Sequence, residues 1–539
     1  MKPIYSKALA VIALCCLGII VYSNTFHGSF HFDDEPSIVN NYAIKHIQNL
    51  RSIWNFYPTR FITYLSIAFN YQLGGLKVFG YHLFNLLVHL GSAMLIWWLT
   101  ILTFHTPLIK KEAISAYAKP IAFFTSAIFL LHPIQTQPVN YIIQRATLLA
   151  TFFYIASLSL YVKARLKQKE RPSSHIWKVY YSGSLLMAVI SMLSKEIAIT
   201  LPLAVFLYEF CFLRIKKDFR WKYFTPFFII MLIMSMAILF TKALDFKRLG
   251  GAVEDGSSLS VLPYFLTQAK VKVTYLRLLF IPLNQNLDYD YPIAKSIFEI
   301  PVIFSFLVLF FILLAGIRLF HKHKLISFGI FWFFITLLPE SGIIPIKDII
   351  FEHRLYLPMA GFSLFLVSTV YYLFGAKTLK PMVAILLIII ACYSVLTYRR
   401  NSIWKDEFTL WNDVIRKSPK KVRPYNNRGL AYIKQGDPSQ AFSDFNRAIQ
   451  IDPHLALAYY NRGLAYQKQG NLNQAISDYN RAIQINPNYV QAYNNRTVVY
   501  FLNREYDKSW EDVHKVEKLG GKVHPEFLEE LKKASGRER

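Results

Sequence analysis

Eleven apolar segments constrain the fold of this chain more than any other feature. A helix that crosses a lipid bilayer needs about 20 apolar residues, and the sequence approaches or reaches that length at 5–23, 82–104, 119–132, 140–162, 179–193, 197–213, 223–242, 300–319, 325–339, 355–375 and 381–398. The composition agrees, because 54% of the residues are hydrophobic and 16% are aromatic, which is too apolar for an ordinary soluble protein. The sequence therefore predicts an all-α, polytopic membrane domain over residues 1–400.

A twelfth apolar stretch, residues 261–282, does not fit the pattern of a span. It carries Lys270, Lys272 and Arg277 in its middle, and charges at the bilayer centre are costly. We interpret this stretch as interfacial or re-entrant, and the first run as a retained signal anchor. With the N-terminus inside, every basic loop then lies on the cytoplasmic side, as the positive-inside rule requires, and the C-terminus is exoplasmic.

The C-terminal region contains an internal repeat. Residues 425–458 and 459–492 align without gaps at a period of about 34, which is the tetratricopeptide period. Both units place Gly, Tyr, Ala, an aromatic residue, Ala and Pro at matching positions, from Gly429 to Pro453 and from Gly463 to Pro487. We predict an α-solenoid of three repeats over 425–526, a linker with a partial repeat helix over 401–424, and a basic tail over 527–539. Such a solenoid offers a groove for a protein or peptide partner.

The formal net charge of +27 does not indicate nucleic-acid binding. The Lys and Arg residues lie mainly in the short loops between apolar runs and in the repeats. Basic loops at such positions indicate the topology of a membrane protein rather than a surface that binds nucleic acid. We therefore predict no nucleic-acid partner. The membrane lipid is the expected environment of residues 1–400.

Charged residues on the predicted exoplasmic side form a candidate site. Asp33 and Asp34 follow the first span directly, and a carboxylate at this position can act as a general base toward a hydroxyl acceptor. A helix N-cap in a solvated acidic turn explains the same residues equally well.

Further ionisable residues lie at other exoplasmic turns. Lys195 and Glu196 separate two apolar runs with almost no loop, so either a functional pair or a structural ion pair fits them. Arg145 and Arg354 can face a phosphate, because guanidinium offers planar paired donors, or can serve as interfacial anchors. The remaining polar candidates are Asp290, Glu352 and His353.

No ligand spacing in this set is diagnostic of a metal site. His31 and His353 could join Asp33 around an ion, but the separations match no known metal motif. We therefore assign no metal ligand and expect no resident cofactor, and we leave a divalent cation open as an alternative.

The order of these motifs resembles a known family: the transmembrane and tetratricopeptide-repeat O-mannosyltransferases and their bacterial relatives, in the GT-C superfamily of glycosyltransferases that use polyprenyl-phosphate sugars. The resemblance covers most of the chain. It rests on Phe32-Asp33-Asp34, Gly80-Tyr81-His82-Leu83-Phe84-Asn85 through His89, His132-Pro133-Ile134-Gln135-Thr136 through Arg145, Ser194-Lys195-Glu196, Glu352-His353-Arg354-Leu355-Tyr356-Leu357-Pro358, and the repeats.

The resemblance implies an inverting transfer of a sugar, such as mannose, from a lipid-linked donor to an acceptor hydroxyl, expected on protein Ser or Thr. It implies that Asp33 is the base, with Asp34 assisting or holding the loop, and that Arg145, Lys195 and Arg354 steady the departing phosphate. It gives supporting roles to Glu196, Asp290, Glu352 and His353. The near-consensus repeats and compact loops favour a bacterial plasma membrane, with the repeats on the exoplasmic side.

Two other functions fit the same sequence. The first is a non-catalytic, membrane-anchored scaffold whose repeats bind a partner. The second is a ligase or flippase-like transporter of a lipid-linked glycan. Loss of transfer in Asp33→Asn with normal membrane insertion would favour the glycosyltransferase over the scaffold.

Overall fold

The computed structural model describes residues 3–214, 221–240, 260–342, 345–346, 348–375 and 378–537. Throughout these ranges the regular elements are helical, and no strand is assigned. The chain forms two compact units, which we call the membrane unit and the repeat unit. The described part of the membrane unit ends at Asp406, and the repeat unit contains Asp288–Asp290 and the chain from Glu407 onward.

The membrane unit is built from helices, most of them apolar, joined by connections of varied length. Its helices are α1 Pro3–Val21, α2 Leu50–Phe56, α3 Phe61–Gly74, α4 Val78–Phe104, α5 Ala118–Leu131, α6 Thr136–Asn140, α7 Arg145–Glu170, α8 Ile176–Met192, α9 Leu201–Tyr208, α10 Thr225–Phe240, α11 Val261–Phe280, α12 Ile300–Leu319, α13 Lys324–Leu337, α14 Pro358–Val370 and α15 Leu379–Asn401.

Within the described residues, eight helical segments are long and apolar enough to cross a membrane, and three shorter apolar helices accompany them. Each of the eleven predicted segments overlaps one of these helices. The prediction of an all-helical membrane domain is thereby confirmed, whereas the number of segments that cross a bilayer stays a prediction.

Helix α11 corresponds to residues 261–282, the stretch that the sequence did not predict as a span. It is not among the eight segments that could cross a membrane. Its three cations donate to main-chain carbonyls of neighbouring loops: Lys270 to Pro292 at 3.0 Å, Lys272 to Ser341 at 2.7 Å, and Arg277 to Leu283 at 3.0 Å. Each charge in the helix is therefore used to hold loop backbone.

Helices α13 and α14 approach closely because two glycines face each other. A Cβ atom on Gly329 would lie 2.7 Å from the carbonyl oxygen of Gly361, and one on Gly361 would lie 2.4 Å from Cδ1 of Trp332. Small residues permit such close crossings between membrane helices. The indole of Trp332 donates to the Leu357 carbonyl at 3.0 Å, which fixes the start of α14 and the turn before it.

The repeat unit is a series of helical hairpins. Its helices are α16 Glu407–Lys417, α17 Val422–Gln435, α18 Pro438–Ile451, α19 Ala456–Lys468, α20 Leu472–Ile485, α21 Val490–Leu502, α22 Tyr506–Lys518 and α23 Pro525–Ser535. Three hairpins, α17–α18, α19–α20 and α21–α22, occupy the predicted repeats, and α16 is the predicted partial helix. Helix α23 covers much of the segment that the sequence suggested as a basic tail.

An arginine from the first helix of each hairpin binds an aspartate on the second helix, at donor–acceptor distances of 2.6–2.7 Å. The pairs are Arg428–Asp444, Arg462–Asp478 and Arg496–Asp512. Gly429 and Gly463 leave room for Phe445 and Tyr479, whose rings lie within 3 Å of where a Cβ atom would be. These contacts explain why Arg, Asp, Gly and an aromatic residue recur at fixed positions.

Candidate active site

The loop after α1 holds its two aspartates in different environments. The carboxylate of Asp34 is fully buried and accepts two main-chain N–H groups, from His31 at 3.0 Å and from Ile143 at 2.7 Å. Phe32, just before the pair, has a φ of 47°, a left-handed conformation that is strained for a residue with a side chain. The Asp34 carboxylate thus ties a strained loop to the chain that enters α7.

Asp33, in contrast, is exposed. Its main-chain N–H donates to the hydroxyl of Tyr141 at 2.9 Å, and the same hydroxyl hydrogen-bonds the Asp33 side chain. The Tyr141 ring stacks on Trp404, with ring centroids 5.8 Å apart. The Asp33 carboxylate is therefore exposed, and the Tyr141 hydroxyl fixes its direction.

The protonation behaviour of Asp34 follows from its burial. Desolvation raises the pKa of Asp34 to about 8; the neighbouring charge of Asp33 also raises this pKa, while the N–H groups of His31 and Ile143 oppose the rise. Both oxygens of this buried group are already bonded to backbone, so an acceptor molecule cannot reach them. Asp34 is placed to hold the loop, whereas the Asp33 side chain is exposed.

A cluster of cations lies around the turns before α9 and α14. Lys195 is buried, and its Nζ donates to Glu340 at 2.7 Å and to Thr147 at 3.0 Å. Burial lowers the pKa of the His353 imidazole well below its usual value, and the charges of Lys195, Arg354 and Arg60 lower this pKa further. Lys195, Arg354 and Arg60 therefore lie around one imidazole, and we call these four side chains the cationic cluster.

The main chain and neighbouring residues fix the geometry of this cluster. Arg354 donates to the carbonyls of Ile349 at 2.9 Å and Asp348 at 2.6 Å. Glu352 is buried and accepts the main-chain N–H of Asn286 at 2.6 Å and the amide of Gln285 at 2.9 Å. Glu352 therefore anchors the loop after α11.

Arg60 and Glu340 were not singled out as site residues from the sequence. Arg60 pairs with Glu196 at 3.3 Å, and Thr59 donates to the same carboxylate at 2.7 Å. The only sequence signal that could have found Arg60 was a lone basic residue in the loop after α2. Glu340 was visible as a charge at the end of α13, but its partner Lys195 is 145 residues away.

The chain from α6 to the start of α7 connects the carboxylate loop to the cationic cluster. Its side chains and backbone contact both: Gln137 accepts the N–H of His353 at 2.7 Å, Tyr141 and Ile143 bind the aspartate loop, and Thr147 accepts from Lys195. The charges of Asp33 and Arg60 also both act on the Tyr64 hydroxyl. The two groups of residues are thus neighbours in space.

Two predicted residues, Arg145 and Asp290, are engaged in other contacts. Arg145 is fully buried, and its guanidinium donates to Asn85, Asn70 and the carbonyls of Ser66 and Tyr81. It thus braces α3 and α4 against α7 and presents no free edge to a phosphate. Asp290 belongs to the repeat unit, where its N–H donates to the Ser418 hydroxyl at 3.0 Å.

In the described part of the chain, no three His, Cys, Asp or Glu side chains group closely enough to hold a metal ion. His31, which was considered as a ligand, is buried and bonds the Trp404 carbonyl through Nε2 at 2.8 Å. His353 stacks on Phe351, with ring centroids 5.0 Å apart.

Fold and site together define a helical membrane protein that carries a polar, two-part cluster and a block of tetratricopeptide repeats. Family models described as "Tetratricopeptide repeat" and "TPR repeat" match residues 456–489 and 431–470. The predicted solenoid is thereby confirmed.

Curated relatives extend the likeness to the membrane unit. The Caenorhabditis elegans protein O-mannosyl-transferase F38B6.6 is 26% identical over 442 residues, which cover 78% of this chain and 59% of the relative. Human protein O-mannosyl-transferase TMTC4 is 25% identical over 486 residues, covering 79% and 64%. These relatives confirm the resemblance found in the sequence. The chain spans less than two thirds of the length of either.

Two solved membrane structures are also similar at low identity. ArnT from Cupriavidus metallidurans, bound to undecaprenyl phosphate, is 13% identical with a TM-score of 0.40, covering 90% of this chain and 80% of that one. The Archaeoglobus fulgidus oligosaccharyltransferase in the apo form is 12% identical with a TM-score of 0.39, covering 74% and 56%.

Proposed function

We propose that this protein is a membrane glycosyltransferase that moves a sugar, such as mannose, from a polyprenyl-phosphate donor to a hydroxyl acceptor on the exoplasmic side. The observation that carries the proposal is the position of an exposed carboxylate, Asp33, beside the cluster of Lys195, Arg354 and Arg60. A base and a phosphate site are the two elements that such a transfer requires. The names of the curated relatives support the same reaction class.

In the proposed reaction the acceptor oxygen attacks the anomeric carbon of the donor sugar. The bond from that carbon to the phosphate oxygen breaks, and the polyprenyl phosphate leaves with the electron pair. The Asp33 carboxylate takes the hydroxyl proton, and attack from the face opposite the phosphate inverts the anomeric centre. The Tyr141 hydroxyl keeps Asp33 in place during these changes.

The cationic cluster is the proposed phosphate site. Lys195 and Arg354 bring an ammonium and a guanidinium group to this cluster, next to the carboxylates of Glu340 and Asp348, and these two groups are the donor types that bind phosphate oxygens. His353 adds an Nδ1 atom that is buried and has no hydrogen-bond partner among the residues that the structure describes. A neutral imidazole can share one hydrogen bond with a phosphate oxygen without adding charge.

The supporting residues receive structural roles in this proposal. Glu196 holds Arg60, Glu352 holds the loop after α11, and Arg145 holds the helices that carry the site. The repeat unit binds the protein acceptor or a partner that delivers it, and Ser or Thr is the acceptor residue. We place the protein in a bacterial plasma membrane with its repeats outside.

A transfer assay tests the proposal. Purified protein in detergent receives a panel of polyprenyl-phosphate sugars and cell-envelope proteins, with and without EDTA, and protein-linked sugar is measured. We expect transfer by wild type, loss of transfer in Asp33→Asn, and near-normal transfer in Glu35→Gln, which removes a carboxylate two residues away. The EDTA arm decides whether a divalent cation takes part.

Two outcomes would overturn the proposal. If wild type transfers no sugar although it is folded and its repeats capture a partner, the scaffold function is correct. If a lipid-linked polymer accumulates without any protein-linked sugar, the chain acts on lipid-linked glycans instead.

A further inference from the structure

Helix α11 carries a stripe of polar side chains along one face. Tyr264, Gln268, Lys272 and Tyr275 are spaced by four, four and three residues, and such spacing places side chains on the same side of a helix. Leu276, Leu279 and Phe280, at the C-terminal end of the same helix, line an apolar cavity of about 320 Å³ together with side chains of α12, α13 and α14. We call Tyr264, Gln268, Lys272 and Tyr275 the polar stripe of α11.

Every residue of the polar stripe bonds the backbone between α13 and α14. Tyr264 donates to the Glu340 carbonyl at 3.4 Å, and Lys272 donates to the Ser341 carbonyl at 2.7 Å. Gln268 donates to the Ile349 carbonyl at 2.9 Å.

Tyr275 makes a reciprocal pair of bonds with a single residue. Its hydroxyl donates to the Phe351 carbonyl at 2.8 Å and accepts the Phe351 N–H at 3.1 Å. The Tyr275 side chain is fully buried, so water cannot replace either bond. The stripe therefore binds the backbone at Glu340, Ser341, Ile349 and Phe351.

This backbone is the one that holds the Arg354 guanidinium. Arg354 donates to the same Ile349 carbonyl that accepts from Gln268, and it also hydrogen-bonds the Tyr264 side chain. Glu340, the partner of Lys195, lies at the other end of the bound backbone. A shift of α11 relative to the loop would displace the partners of both Arg354 and Lys195.

We propose that the polar stripe of α11 positions Arg354 for the donor's phosphate, and positions Lys195 through its partner Glu340, with Tyr275 and Tyr264 as its main positioning residues. The inference rests on the proposed function, because it assigns the phosphate to this cluster. It also explains why an apolar helix carries polar residues at this spacing: the stripe faces the loop and not lipid.

The test compares two tyrosines that bond in the same region. Tyr275→Phe removes the hydroxyl that binds Phe351 and keeps the ring. Tyr291→Phe makes the same chemical change at a tyrosine whose hydroxyl bonds Thr274 of the same helix at 2.9 Å, outside the stripe. Donor KM and kcat are measured for both, and amide exchange of the segment 348–357 is followed by mass spectrometry.

We expect Tyr275→Phe to raise donor KM roughly tenfold with little change in kcat, because the phosphate is charged before and during transfer. The amide exchange of Phe351 should quicken by at least about tenfold, since its acceptor is lost. Tyr291→Phe should leave donor KM and Phe351 exchange at wild-type values. A Tyr264→Phe variant should raise KM in the same direction.

The two readouts separate failure of this inference from failure of the proposed function. If wild type transfers no sugar but Phe351 exchange quickens only in Tyr275→Phe, the polar stripe does hold the loop and the enzyme assignment is wrong. If wild type transfers sugar and Tyr275→Phe changes neither donor KM nor exchange, the positioning role is wrong. Equal effects in Tyr291→Phe would also overturn it, because they would indicate a general loss of packing.

Discussion

Asp33 is exposed and Asp34 is buried, and this difference leads to the most specific prediction. Asp34 receives two buried N–H groups on two different oxygens. An asparagine at this position keeps the shape of the side chain but has one acceptor oxygen, so its NH₂ group faces the other N–H. We expect Asp34→Asn to weaken the loop without removing the base.

The magnitude follows from the hydrogen bond that is lost. Leaving a buried donor without an acceptor costs about 1–3 kcal/mol. A loss of this size shifts the equilibrium between the correctly placed and the displaced Asp33 loop by roughly 5- to 150-fold toward the displaced one. Removing the base itself in Asp33→Asn should reduce transfer by roughly 10²- to 10⁴-fold.

The assay measures initial transfer rates together with the apparent melting temperature in detergent. Asp34→Asn should lower both, whereas Asp33→Asn should lower the rate and leave the melting temperature near that of wild type, because its carboxylate is exposed. An Asp34→Asn variant with wild-type rate and stability would refute the anchoring role. If Asp34→Asn instead keeps wild-type stability and loses as much transfer rate as Asp33→Asn, Asp34 is the base.

Three further predictions follow from other buried contacts. Arg145→Lys should destabilise the protein by about 3–5 kcal/mol, since lysine cannot reproduce the bonds of a buried guanidinium; thermal unfolding checks this, and a selective rise in donor KM at full stability would contradict it. Gly361→Ala should cost about 1–3 kcal/mol through the clash with Trp332, also measured by thermal unfolding, with Gly183→Ala as the control, since a Cβ there meets its nearest atom at an ordinary 3.5 Å. Burial lowers the pKa of His31 to about 4, so the unfolded chain binds the extra proton first and stability should fall as pH drops from about 6.5 to 4; His31→Gln should make that decline shallower.

The sequence predicted the fold because its signals are local. Each apolar run is long enough to form a membrane helix by itself, and the repeat period appears in any aligned pair of units. Even the exceptional character of residues 261–282 was visible, since three cations inside an apolar run conflict with a lipid environment. What those residues do instead was not visible, because Gln268 and Tyr275 bond a loop more than 75 residues further along the chain.

The candidate site could be predicted only in part. Asp33, Asp34, Lys195 and Arg354 were chosen as ionisable residues at exoplasmic turns, and the structure places them in two neighbouring groups. Arg145 was chosen by the same rule, but its guanidinium is hydrogen-bonded to residues inside the helix bundle. Arg145 and Arg354 are the same residue type, and both lie at predicted exoplasmic turns. Only their surroundings in the structure distinguish them.

The sequence by itself thus determined which segments become helices, which helices are apolar, and where the repeats lie, because helix formation and apolar burial depend on residues that are close in the chain. Only the tertiary structure decided which aspartate is exposed, which arginine is occupied, and which residues pair with Lys195 and Arg354. Those outcomes depend on atoms brought together from distant segments, and the free energy of a buried charge is set by those neighbours.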